Sequence, residues 1–503
     1  MKLRELLREI DGPGFTKRGD DGVDVHGIAV DSRTVRAGDL FFALRGTRTD
    51  GGRYIDEARM RGAVAIAGDP SIDPPPGVSF VATAEPARLL ARVAARFYGN
   101  PSAALTVVGI TGTNGKTTVS YLLESIWRTA GLRPGVLGTI SYRFGDEVVP
   151  AALTTPAAPE VFSWLARMRA NGVTHVAMEV SSHALAQERA EGIEWDAAVF
   201  TNLGRDHLDF HSDQDQYFRA KSRLFVALDS SPKPRRVAVV NAADPRGREL
   251  RSQVRSRVVT FGAGGDVQAE RVEMALDGTS AELRIGEARI AVRTSLIGSG
   301  HLENVLAAAA TAHALGVPLA AVVGGIATCP GVPGRLEAVS AGQDFTVLVD
   351  FAHTPEALAG VLGSLRPLVA GRIVCVFGCG GDRDRGKRPL MGEAVGRGAD
   401  VAVLTSDNPR TEDPLAIIAD AEPGIARAEL PRLAAVAGVE RGYVVLPDRA
   451  SAIASAIATA RRGDCVIIAG KGHEDYQIVG QTKVPFEDRA VALRALRERG
   501  LGR

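Results

Sequence analysis

Cysteine is scarce in this chain: four thiols, Cys329, Cys375, Cys379 and Cys465, among 503 residues. That number cannot build a disulfide framework for so long a protein, and reduced thiols are expected. Cys375 and Cys379 are too widely spaced for a Cys-x-x-Cys pair and lack a second pair to complete a zinc site. They read as small buried residues beside a glycine-rich turn. An excess of charge is also missing, since 60 Lys and Arg stand against 59 Asp and Glu. The basic residues are dispersed, which argues against a nucleic-acid groove or a membrane surface and leaves small molecules as expected partners. No long apolar run could span a bilayer. MKLRELLREI carries charges through its apolar positions and reads as a short amphipathic helix, not as a signal peptide. A cytoplasmic location is the expectation.

What is present is the mix of a soluble globular protein, 45% hydrophobic and 24% charged. Its length calls for two to four compact units. Residues 1–98 hold short β-like runs at Gly27 to Ser32 and Asp39 to Leu44, then a helical pattern from Pro86 to Tyr98 that stops at Gly99-Asn100-Pro101. From Leu105 the pattern becomes buried strand, glycine loop, helix. LTVVGI, THVAMEV, WDAAVFTNL and VAVVN alternate with helical stretches, as in a doubly wound, mostly parallel sheet. The rhythm restarts after Pro330-Gly331-Val332-Pro333-Gly334 with TVLVDF, GRIVCVFG, DVAVLTSD, YVVLPD and DCVIIAGKG. The expected fold class is therefore α/β in three domains, 1–98, 99–333 and 334–503, the last a second Rossmann-like unit.

The sharpest local signal is the run Gly109 to Thr118, GITGTNGKTT, between a strand and the helical VSYLLESIWRTAG. Glycines let backbone N–H groups turn inward around an anion, and a helix N-terminus adds partial positive charge. Gly112, Thr113, Asn114, Gly115 and Thr118 would form the cradle, Lys116 would bridge the β- and γ-phosphates, and Thr117 would ligate Mg²⁺. The strict G-x-x-x-x-G-K-[ST] pattern fails, because its first position falls on Ile110. ATP binding alone does not separate a kinase, an ATPase and a ligase.

In order along the chain stand Asp31-Ser32-Arg33, TGTNGKTT, Thr154-Thr155-Pro156, Met178 to His183, Asn202-Leu203, Asp206 to His211, Ala220-Lys221, Pro333-Gly334-Arg335, Asp350 to Pro355, GCGGDRDRGKRP, Asp407-Asn408-Pro409-Arg410 and Gly470 to Glu474. Through these landmarks nearly the whole chain resembles the Mur ligase family. The resemblance implies an N-terminal domain for a uridine nucleotide, a central ATPase and a C-terminal domain that receives an amino acid. It also implies phosphorylation of a substrate carboxylate by ATP, attack of an amine on the acyl phosphate, and loss of phosphate.

Carried over residue by residue, the resemblance makes Lys116, Glu179, His207 and Lys221 the catalytic set. Thr117, Glu179, His207 and Lys221 would serve Mg²⁺, with Lys221 carbamylated by CO₂ to an N6-carboxylysine. Glu179 ends a strand, where a carboxylate can hold magnesium beside Thr117. His207 and His211, four apart, could share a helix face, but no Glu follows His207 as H-E-x-x-H requires. Asn304, Arg335 and Asp350 match family positions around the nucleotide. Ser32 and Arg33 map to uridine contacts. Thr154, Thr155, Ser181, Gln187 and Arg189 map to contacts with sugar and peptide. Asp407, Asn408, Pro409, Arg410, Arg383, Gly470 and Glu474 map to the amino-acid pocket. There Arg410 and Arg383 would clamp the extra carboxylate of meso-diaminopimelate and Glu474 would take its ammonium group; L-lysine lacks that carboxylate.

The expected activity is thus addition of meso-diaminopimelate to UDP-N-acetylmuramoyl-L-alanyl-D-glutamate for peptidoglycan, by a monomer using ATP and Mg²⁺. The alternatives are a related ligase adding another amino acid such as L-lysine, or a non-catalytic nucleotide-binding paralogue. Three departures from the family pattern bear on this. Thr47 replaces a histidine, Gly298 to Asn304 keeps only the first Gly and last Asn of G-x-F-N-x-x-N and places His301 inside it, and Phe351 replaces the tyrosine of D-Y-A-H-T-P.

Overall fold

β-branched runs form the centres of three separate sheets in the computed structural model, which describes residues 1–500 except 9, 11–13, 47, 48, 208, 209 and 437. Thr47 lies outside the described residues. The first sheet has five strands in the order Thr16–Arg18, Ser79–Ala82, Ala65–Gly68, Asp39–Ala43, Gly27–Ala29. Helix Pro86–Phe97 covers it with Leu89, Leu90 and Val93 and leads into the second unit.

The second sheet has eleven strands. Its parallel centre runs Arg257–Phe261, Val237–Asn241, Ala197–Phe200, Thr106–Thr111, His175–Glu179, Pro134–Leu137. These strands are buried on both faces: Val108 and Ile110 pack under helices Lys116–Thr129 and Ser299–Ala314, while Val107 packs with helices Ala158–Ala170 and Gln214–Asp229. Each fully buried Val, Leu or Ile contributes roughly 1.5–3 kcal/mol, so the centre of the sheet is the stable scaffold. The chain leaves Thr106–Thr111 toward one side, at Pro134–Leu137 and His175–Glu179, then crosses to Ala197–Phe200 on the other. The resulting crevice at the carboxyl ends of these strands is where an open α/β sheet receives ligand.

The third sheet runs Glu337–Ala338, Thr346–Asp350, Cys465–Ala469, Ile373–Cys379, Val401–Ser406, Gly442–Val445, parallel except for its first pair. Arg449 and Asp488 form a fully buried bidentate pair at 2.8 and 2.7 Å. Arg449 also donates to the carbonyls of Ala469 (3.0 Å) and Ser406 (3.4 Å), which ties together the two strand ends that carry Gly470 and Asp407. Removing one member of such a pair strands a buried charge and costs about 3–5 kcal/mol.

The fold class read from the sequence holds: three α/β units with parallel-rich sheets. The differences lie at edges. The N-terminal helix is only Leu3–Leu6, and the run expected as strand to Ser32 ends at Ala29, where Ser32–Thr34 turns as a 3-10 helix capped by Asp31. The central sheet gains antiparallel strands on both flanks, Ser141–Phe144 and Glu147–Pro150 on one side and Val267–Ala275, Gly278–Ile285 and Ala288–Thr294 on the other. All four cysteines are buried free thiols, and none of the described residues gathers into a His/Cys/Asp/Glu metal cluster. No helix among the described residues is long and apolar enough to cross a membrane.

Candidate active site

The glycine loop closes over the carboxyl end of Thr106–Thr111. Gly112 has φ +146°, and a Cβ there would lie 1.8 Å from Thr201 Oγ1; at Gly115, φ +90°, it would lie 2.2 Å from Asn304 Oδ1. Only glycine permits both backbone conformation and close approach. The loop is fastened from Asn202, whose carbonyl accepts from Thr113 N and whose Oδ1 accepts from Asn114 N, both at 2.9 Å. Helix Lys116–Thr129 follows, with Thr117 and Thr118 buried in its first turn.

Glu179, 1% exposed at the end of its strand, accepts from Thr117 Oγ1 (2.9 Å), Thr139 Oγ1 (2.8 Å) and Thr139 N (3.0 Å). Thr139 Oγ1 in turn sits 3.1 Å from Thr154 Oγ1. These are oxygen donors only, the set a hard cation such as Mg²⁺ takes. Thr139 went unnoticed in the sequence; its signal is the Gly138-Thr139 turn just past the strand that pairs with the Glu179 strand.

Lys116 Nζ donates to the carbonyls of Gly112 (2.9 Å) and Thr113 (3.0 Å), and Lys221 Nζ donates to that same Gly112 oxygen (2.8 Å). Lys221 is 1% exposed and lies 4.3 Å from the Tyr217 ring centroid. Burial, and then Lys116, hold its ammonium well below the usual lysine range. Burial also lowers Lys116, against the pull of Glu179. His207 adopts φ +55° and meets the His183 ring at 4.8 Å. Burial brings it down to about 4 despite Asp206 Oδ2 at 3.3 Å. His211 N donates to the His207 carbonyl at 2.9 Å, and residues 208 and 209 between them lie outside the described residues.

The third unit reaches into this loop. Arg335 Nη2 lies 3.5 Å from Thr117 Oγ1, and its guanidinium lies 4.5 Å from the Phe351 ring centroid. Asp350 is buried, and its carboxylate accepts from Leu336 N and Ala352 N, both at 2.7 Å. Asn304, Arg335, Asp350, Phe351 and His301 line a cavity of about 400 Å³ beside the glycine loop. Two buried polar atoms in its wall, Arg335 Nε and His301 Nδ1, have no hydrogen-bond partner among the described residues. With the glycine cradle, these unpartnered polar atoms fit a nucleotide and its phosphates. Phe351 packs between Arg335, His353 and His473, so the missing tyrosine hydroxyl leaves its aromatic face in place.

A second cavity of about 240 Å³ is lined by His207, His353, Arg383, Lys387, Asp407, Asn408, Arg410, Gly470 and Glu474. It lies at the carboxyl ends of the third sheet and faces the Asp206-His207 loop of the second. Arg410 has φ +52° and is held by its Nη1 bond to the Gly381 carbonyl (2.7 Å), while Gly381 N donates to the Asn408 carbonyl (2.9 Å) beside Pro409. Burial and then the neighbouring Arg383 lower Arg410, against the pull of Asp407, Glu474 and Asp382. Glu474 Oε2 accepts from both Lys471 Nζ (3.0 Å) and Asn408 Nδ2 (2.9 Å), so the two bonds fall on one carboxylate oxygen.

Thr155, Ser181, Gln187 and Arg189 also come together. Thr155 Oγ1 bridges Glu179 O (2.9 Å) and Ser181 N (3.0 Å), and Arg189 bonds Thr155 O (3.0 Å) and Gln187 Oε1. Ser32 and Arg33 stand apart in the first unit. The Ser32 hydroxyl donates to Glu57 (2.7 Å), and exposed Arg33 pairs with Asp31 (2.6 Å).

A phosphate-cradling central unit whose loop meets an arginine from a following α/β unit defines a nucleotide-binding architecture built from more than one domain. The chain matches the Mur ligase family, catalytic domain over residues 24–98, the Mur ligase middle domain over 110–312 and the Mur ligase, glutamate ligase domain over 334–472. It belongs to the Mur ligase family. It is 46% identical over the full length of both chains to a UDP-N-acetylmuramoyl-L-alanyl-D-glutamate--2,6-diaminopimelate ligase of Geobacter metallireducens. To the ligase of that name from Geobacillus kaustophilus it is 43% identical, over 99% of this chain and 100% of the relative. A solved structure of a ligase with the same name superposes with TM-score 0.68 at 30% identity, covering 99% of each chain.

Proposed function

We propose that this chain is an ATP-dependent amide ligase that joins meso-diaminopimelate to UDP-N-acetylmuramoyl-L-alanyl-D-glutamate through an acyl phosphate, releasing ADP and phosphate in peptidoglycan synthesis. The observation that carries this reading is the pair of cavities that share Phe351 in their walls, one beside the phosphate loop and one lined by Arg383 and Arg410. Residues 1–98 would hold the uridine nucleotide through Ser32 and Arg33, residues 99–333 the ATP and muramyl peptide, and residues 334–503 the amino acid. A cytoplasmic monomer fits these soluble substrates.

Phosphoryl transfer to a carboxylate brings anions together, so it needs preorganised cations in a site poor in water. Lys116 and Arg335 supply positive charge over the phosphates, and Thr117 is presented by the first turn of its helix. Mg²⁺, held by Thr117, Glu179, His207 and a carbamylated Lys221, would neutralise charge on the transferring group. Thr154, Thr155, Ser181, Gln187 and Arg189 orient the peptide toward the loop, with Arg189 matched to a carboxylate. Arg383 and Arg410 accept the distal carboxylate of the amino acid, and Asn408 and Glu474 orient its polar end. The decisive experiment is ADP release with the muramyl dipeptide and a panel of amino acids, with mass analysis of the product. No ADP release with any amino acid, or release without joined product, would refute this function.

A further inference from the structure

The amino-acid cavity contains an imidazole that neither the metal set nor the carboxylate clamp uses. His353 lies between the end of strand Thr346–Asp350 and helix Pro355–Leu365. Its Nδ1 is 2.7 Å from the carbonyl oxygen of Phe351. A carbonyl only accepts, so Nδ1 carries the hydrogen, and in the neutral ring Nε2 keeps its lone pair. Among the described residues Nε2 takes no hydrogen bond, and the half-buried ring lines the cavity with Arg383 and Arg410.

Amide formation makes a demand that the groups already assigned do not meet. An amino acid arrives as an ammonium ion, which has no lone pair to attack a carbonyl carbon. The cavity's other groups are the cations Lys387, Arg383 and Arg410 and the carboxylates Asp206, Asp384, Asp407 and Glu474; a carboxylate is ordinarily a much weaker base than a neutral imidazole, and so suits holding an ammonium rather than taking its proton. We propose that His353 Nε2 is the proton acceptor for the incoming amino group. This rests on the ligase reading above and deepens it.

The step balances as follows. An N–H bond of the ammonium breaks, its proton bonds Nε2, and the freed lone pair forms the C–N bond at the acyl carbon while the carbonyl π electrons move to oxygen. They return as the C–O bond to phosphate breaks, and phosphate leaves with that electron pair. The remaining surplus proton on nitrogen passes to the departing phosphate. The charged groups around the ring suit both ends of this transfer. Burial and Lys387, at the start of helix Lys387–Gly398, keep the ring neutral beforehand; Asp206, from the loop after Ala197–Phe200, and Asp407, from the end of Val401–Ser406, stabilise the imidazolium afterwards.

The test compares two nucleophiles on the full-length His353→Asn chain with the muramyl dipeptide and MgATP. meso-Diaminopimelate must lose a proton to react, whereas hydroxylamine is largely unprotonated at neutral pH and traps the acyl phosphate as a hydroxamate. The expected result is a kcat for diaminopimelate lower by roughly 100- to 10,000-fold, recovering as pH rises, with hydroxamate formation within about 2-fold of the unsubstituted chain. His353→Gln retains an N–H for the Phe351 carbonyl and is read the same way should the Asn variant not fold. Parallel loss of both reactions, or full activity with diaminopimelate, overturns the proposal. If the unsubstituted chain forms no hydroxamate, the ligase reading itself fails and the proposal falls with it. If that chain prefers a different amino acid yet shows the same split, the role of His353 stands.

Discussion

Lys116 and Lys221 donate to one acceptor, the carbonyl oxygen of Gly112, at 2.9 and 2.8 Å. A fully buried and a half-buried ammonium group on one oxygen repel each other, and the conflict is relieved when one is neutral. A neutral lysine amine is the form that reacts with CO₂, and the carbamate would turn a repulsion into an attraction toward Lys116 and a cation. The prediction is that protein kept in bicarbonate carries the mass of one CO₂ on Lys221. Lys221→Ala should reduce ligation by about 100-fold or more and regain part of it with added short carboxylates. No loss, or loss without rescue, would count against the modification.

Arg410 is locked by the Gly381 carbonyl and faces Arg383 across the smaller cavity. Arg410→Lys keeps the charge but removes the planar fork that meets a carboxylate through two bonds. A charge-assisted bond is worth roughly 1.5–3 kcal/mol, so kcat/KM for meso-diaminopimelate should fall about 10- to 100-fold, mainly through KM. The unsubstituted chain should use L-lysine poorly, and competition assays that show equal use of the two amino acids would sink the clamp.

Glu191 lies two residues beyond Arg189 and is gripped from the first unit's helix by Arg92 Nη2 (2.6 Å) and Arg88 Nε (3.5 Å). The pair is partly exposed, so its loss should change stability by less than about 1 kcal/mol. Its position predicts another effect: Arg92→Ala should raise KM for the muramyl dipeptide severalfold and leave KM for ATP unchanged. Steady-state kinetics with each substrate varied in turn would decide this, and equal shifts in both KM values would speak against it.

Burial, followed by Arg335, holds His301 down to about 4, compared with 6.5 for an ordinary histidine. As pH falls through 6.5 the unfolded chain takes up a proton that the folded chain refuses until about pH 4, so stability is lost across that window. His301→Asn, which has no titrating ring, should remove about 3 kcal/mol of that loss. Urea midpoints at pH 7 and pH 4 for both chains would measure it, and identical acid losses would refute it.

Much of the site is legible in the sequence because it follows strand ends. The end of a continuous apolar, β-branched-rich run marks the carboxyl edge of a parallel sheet, and Gly112 to Thr118, Glu179, Asp350, Asp407 and Gly470 all stand at such edges, at Gly112 and Gly470 with a glycine as the first residue past the strand. Thr139 and His353 were not singled out because their partners, Glu179 and the Phe351 carbonyl, say nothing in local spacing about a bond. The edge strand Ala288–Thr294 was also missed, since a partly exposed strand lacks the uniform apolar run of a buried one.

The sequence by itself determined the α/β class, the glycine loop and the family resemblance, because periodicity and glycine placement are local properties of the chain. Only the tertiary structure decided that Arg335 reaches Thr117, that Lys116 and Lys221 share one carbonyl, and that His353 faces the same cavity as Arg383 and Arg410. These are meetings of residues far apart in sequence. They exist only because sheet packing brings the carboxyl ends of separate strands into one crevice, where burial then sets which groups stay charged.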